Sequence, residues 1–124
     1  MFDQLRSLPQ IRRAVDSAMA LVCTIPASDR AERIVSVETV ITQATSFREL
    51  DSGVAFMFNS SEDVARLLLD LVLAETKCCA QFNYSIVFES PHRTIELRVE
   101  AHPRLARRLK HLFLGLAREA GIGV

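Results

Sequence analysis

The sequence predicts an α+β domain, a four-stranded antiparallel sheet with helices packed mainly on one face. Three observations carry this expectation. Segments with a helical apolar period lie before, between and after two hairpin patterns. The second hairpin alternates apolar and polar residues, so one face of the sheet is largely polar. The 124 residues suit a single core, and 49% apolar with 24% charged residues excludes the composition of a disordered chain. The expected organisation is one domain over 1–124, with 1–22 a helical N-terminal extension.

Each element follows from local chemistry. Leu5, Leu8, Ile11, Val15, Ala18, Met19 and Val22 have helical spacing, with Pro9 placing a helix start or break near it. Cys23-Thr24-Ile25-Pro26 interrupts the period and reads as an extended link. A second helix opens at Ser28-Asp29, where Asp29 and Glu32 have capping-box spacing, and it carries the β-branched Ile34, Val35, Val37, Val40 and Ile41. Phe47 to Leu50 and Val54 to Phe58 flank Asp51-Ser52-Gly53, a hairpin signal. Ser60-Ser61-Glu62-Asp63 caps a third helix with the stripe Val64, Leu67, Leu68, Leu71 and Cys78. Phe82, Tyr84, Ile86 and Phe88 then alternate with Asn83, Ser85, Val87 and Glu89, of which only Val87 is apolar. After the Ser90-Pro91-His92 turn, Ile95, Leu97, Val99 and Ala101 alternate with Thr94, Glu96, Arg98 and Glu100. Pro103 opens a last helix carrying Leu105, Leu109, Leu112, Phe113 and Leu116, and Gly121 ends it. The open strand edges leave room for a homodimer.

Charge narrows the function classes. Lys plus Arg equals Asp plus Glu at 15 each, so no net charge draws the molecule to nucleic acid or to a membrane, and neither partner is expected. The start of the chain lacks a secretory pattern and no apolar run approaches the ~20 residues of a membrane span, so a cytoplasmic location is expected. The last helix carries Arg104, Arg107, Arg108, Lys110 and Arg118, which reads as a solvated face opposite the Leu stripe. His92, His102 and His111 show no metal-ligand spacing; His102 is placed to cap the last helix beside Pro103. There is no Gly-rich phosphate loop, nucleophile elbow or zincin motif. A carboxylate is a poor activator for a thiol nucleophile, which disfavours hydrolytic catalysis and makes an enzyme the lesser expectation.

The chemistry concentrates at Glu75-Thr76-Lys77-Cys78-Cys79. Cys78 is seven residues after Leu71, and Cys79 eleven after Leu68, so both thiols border the buried stripe of the third helix. Glu75 is four residues after Leu71 and lies on the stripe itself. A carboxylate on an apolar face is uncommon unless paired or liganding. Thiolates suit soft ions, and two on one helix need a third ligand; Cys23 is the one remaining thiol in the sequence. Zinc would ask for a fourth ligand, from Glu75 or a His. As a redox pair, adjacent cysteines close only a strained, labile ring.

Cys23-Thr24-Ile25, then Glu75-x-x-Cys78-Cys79, an aromatic strand and an Ile-x-Leu-x-Val strand resemble a family of small, mostly uncharacterised bacterial domains. That family carries a Cys-Thr-Leu … Glu-Arg-x-Cys-Cys-Pro-Phe-Leu-x-Phe pattern, and some members are associated with mercury or heavy-metal resistance. The resemblance spans about 23–101 and implies Cys23, Glu75, Cys78 and Cys79 as site residues. Thr76, Ala80 and Gln81 depart from the pattern where it has Arg, Pro and Phe.

The leading expectation is therefore a binding module whose metal site is Cys23, Cys78, Cys79 and Glu75. Its ligand would be a soft metal or metalloid, mercury or a similar ion ahead of zinc, or a small thiol-reactive compound. The alternatives from other classes are a thiol redox sensor or oxidoreductase, and a structural or interaction domain with the cysteines as packing.

Overall fold

The computed structural model describes residues 36–78 and 81–122, Cys78 through its backbone alone. The described chain opens in a helix, α1, that occupies 36–41, followed by β1 (Ser46–Glu49), β2 (Gly53–Asn59), α2 (Glu62–Cys78), β3 (Phe82–Glu89), a 3-10 turn (Ser90–His92), β4 (Thr94–Ala101) and α3 (Pro103–Glu119). The four strands form one antiparallel sheet in the order β1-β2-β4-β3, and with the three helices this is the expected α+β fold. The expected helix over 3–22, its status as an extension and the first part of the second helix lie outside the described residues. No helix among the described residues is long and apolar enough to cross a membrane.

Helix ends follow their caps. The Ser61 hydroxyl accepts from the Val64 amide at 3.1 Å, starting α2 one residue later at Glu62. His102 Nδ1 accepts from the Arg104 amide at 3.3 Å, and Pro103 supplies the first-turn φ for α3. At the far end Gly121 sits at φ 72°, its amide bonding to Arg118 O and that of Ile122 to Ala117 O. This is the Schellman arrangement, which a residue with a Cβ would strain.

Residues opposite each other in an antiparallel pair share a face. The register therefore sets Phe47, Val54, Phe56, Phe58, Ile95, Leu97, Val99, Tyr84 and Ile86 on one side of the sheet. Leu68 and Leu71 of α2, Leu109 and Leu116 of α3, and Val40 and Ile41 of α1 join them in one core. The Phe56 ring lies 5.1 Å from that of Phe47 and meets Phe113 of α3 edge-on at 5.7 Å. Fully burying a side chain such as Leu68 contributes about 2 kcal/mol. Leu69 and Leu73, off this stripe, are exposed.

The first hairpin is tied closely to β4. A Cβ on Gly53 would lie 2.0 Å from Val99 O, so only glycine admits this approach. The Leu50 amide bonds to Gly53 O at 2.8 Å, and the Ala101 amide to Ser52 O at 2.9 Å. The Ser52 hydroxyl reaches Glu100 Oε2 at 2.7 Å. The β1–β2 connection is thus pinned beside the junction of β4 and α3.

Candidate functional site

The site expected from sequence stands at the C-terminal end of α2. Glu62 and Asp63 open that helix and Lys77 lies in its last turn, an order that suits the helix dipole at both ends. Its inner face carries Leu68, Leu71 and then Glu75, the last only 8% exposed. A carboxylate is therefore buried one turn before the vicinal cysteines, as the helical phase predicts. The chain leaves α2 at Cys78 and re-enters the sheet at Phe82, which is buried opposite Ala101, its ring 6.4 Å from Tyr84. The side chain of Cys78, and Cys79 and Cys23 entirely, lie outside the described residues. Of the four expected ligands, Glu75 is the one whose side chain is placed. Among the described residues no group of three or more His, Cys, Asp or Glu side chains is gathered as a metal site.

Two further buried carboxylates escape the apolar-stripe argument. Glu38, 7% exposed, lies on α1 among Val37, Val40 and Ile41. Glu96 is 1% exposed although its strand register puts it on the face of the sheet turned away from the helices. That face is largely polar as expected, and Glu96 is nevertheless buried within it. Met57 and Val87 stand on either side of it in the neighbouring strands. Arg48 grips it from β1, with Nε donating to Oε2 at 3.2 Å and Nη2 to Oε1 and Oε2 at 3.1 and 3.0 Å. Arg98 Nε donates to Oε1 at 2.5 Å.

The electrostatics of this cluster follow from its cover. Burial alone would raise the Glu96 carboxyl, but the hydrogen bonds from Arg98 and Arg48, with their charges, outweigh it and hold the group below its ordinary value of 4.5. The same contact, led by the Glu96 hydrogen bond, raises the Arg98 guanidinium further above its usual range. The seal is thin, because the two guanidiniums that enclose Glu96 are themselves partly exposed. The signal available in the sequence was Val87, the one apolar break in the polar alternation, which stands directly opposite Glu96.

The histidines and most of the basic residues of α3 lie at the surface. His92, His102 and His111 are all exposed. Arg104, Arg107, Arg108 and Arg118 lie on the exposed side of α3, with Lys110 half-buried. Between α3 and the β1–β2 connection runs a cleft of about 430 Å³ lined by Glu49, Asp51, Arg107, Lys110, His111 and the buried Ala106. Compared with protein-family models, curated proteins and solved structures, the chain matches none.

Proposed function

We propose that this protein is a small binding module that holds a soft metal or metalloid ion on the thiolates of Cys78 and Cys79, with Cys23 as third donor. Glu75 orients or completes that site. The observation that supports the reading is the burial of Glu75 on the inner face of α2, three residues before the first of two adjacent thiols. Burying an ionisable group carries a desolvation cost that an aliphatic side chain at the same position would not. A carboxylate beside a pair of soft donors has a chemical use: it takes up part of the ion's charge and fixes the direction of its ligands. Three sulfur donors favour mercury(II) or a comparable soft ion over one that prefers nitrogen and oxygen.

Titration of the reduced chain with mercury(II) tests this. One equivalent should bind, with ultraviolet thiolate-to-metal absorption and release of protons from the thiols. Stoichiometric binding that survives the combined substitution Cys78→Ser and Cys79→Ser would sink the proposal.

A further inference from the structure

The cleft beside α3 has a construction that the thiol site does not use. One wall is the end of β1 and the connection to β2, carrying Glu49 and Asp51. The other is the first half of α3, carrying Arg107, Lys110 and His111. The apolar part of the lining comes from Pro103, the buried Ala106 and Leu114. Charged side chains set beside apolar ones, in a volume of this order, suit a small polar ligand.

No ion pair among the described residues joins the two walls. The acidic wall cannot easily collapse onto the basic one, because its backbone is fixed. Gly53 brings it against Val99 O, and Ser52 O accepts from the Ala101 amide. The basic wall is fixed by the cap that His102 places on α3. Opposite charges are thus held apart across a gap by rigid elements, in a chain whose charges otherwise balance.

We propose that this cleft binds a small zwitterion, its anionic group on Arg107 and Lys110 and its ammonium group toward Glu49 and Asp51. A ligand with one charge would meet attraction at one wall and repulsion at the other. A ligand with both gains at each end, and its size is bounded by the cleft. A contact built from exposed charges and few atoms gives an affinity of roughly millimolar order.

Titration of the full chain with phosphoethanolamine, followed by amide chemical shifts, tests the assignment, with inorganic phosphate and ethanolamine as single-ended probes. The expected result is saturable shifts at Asp51, Ser52, Arg107 and His111 with phosphoethanolamine, and weaker binding of either single-ended probe. Asp51→Asn and Arg107→Gln, both at exposed positions, should each weaken binding at least about threefold with the spectrum otherwise unchanged. The proposal is overturned if no shift saturates, if inorganic phosphate or ethanolamine binds as tightly, or if Asp51→Asn leaves the affinity unchanged. The Cys78→Ser, Cys79→Ser chain should bind phosphoethanolamine as the parent does, so this test and the mercury test fail independently.

Discussion

Arg48 and Glu96 meet across a strand to which neither belongs. Arg48 is on β1, Glu96 on β4, and β2 lies between them, yet the guanidinium bonds both carboxylate oxygens at 3.0 to 3.2 Å. Such a two-point grip is stronger than a single contact and fixes direction as well as distance. It ties the first strand of the sheet to the third in spatial order.

The sign of the pH response follows from this pair. The Glu96 carboxyl is held below 4.5 in the folded protein, so its contribution to stability is present above the unfolded value and is lost as pH falls through the folded one. Denaturant unfolding should therefore show stability declining as pH drops below about 4.5. Glu96→Gln should cost about 1–2 kcal/mol at neutral pH and flatten that part of the acid decline. An unchanged acid profile in the variant would remove Glu96 from the account.

Gly53 is the tightest backbone contact among the described glycines. A Cβ there would enter the space of Val99 O and the Glu100 Cα, both main-chain atoms that cannot rotate away. Gly53→Ala should cost about 2–3 kcal/mol, read from the midpoint of chemical unfolding. Because the same turn forms one wall of the charged cleft, phosphoethanolamine binding should weaken in whatever fraction remains folded.

Glu75 separates the thiol reading from a packing role. Glu75→Gln keeps shape and hydrogen-bonding capacity but removes the charge. Where the carboxylate supports bound metal, affinity for mercury(II) in competition with a chelator should fall about tenfold. Circular dichroism and thermal midpoint control for the fold. An affinity equal to that of the parent would restrict the site to the cysteines.

The layout of the sheet and helices was legible because each element has a strong local period. The alternation through Ile95, Leu97 and Val99 and the stripe through Leu68 and Leu71 each point one way, and the register buries them as they point. Caps were equally readable, since Ser61, His102 and Gly121 act within a few residues of their own position. The burial of Glu75 was legible for the same reason, as helical phase is a local property. Features that depend on partners distant in sequence escaped. Glu96 is enclosed by Arg48, forty-eight positions earlier, and nothing near Glu96 announces that guanidinium. The charged cleft joins residues from 49 to 114, and its two walls become neighbours only through the β2–β4 ladder. The basic residues of α3 look like a plain solvated face until that ladder places Glu49 and Asp51 across from them.

The strand order carries a consequence for biosynthesis. β2 and β3 run in the same direction, joined through α2, and β4 fills the space between them. Two of the three ladders therefore need a strand that emerges last. A nascent chain that has reached Glu89 owns α2 and the β3 sequence but has no neighbour for β3 to pair with. The segment bearing Cys78 and Cys79 leaves the ribosome before β4, the strand on which β3 is anchored. That segment is thus synthesised before the strand that completes two of the three ladders.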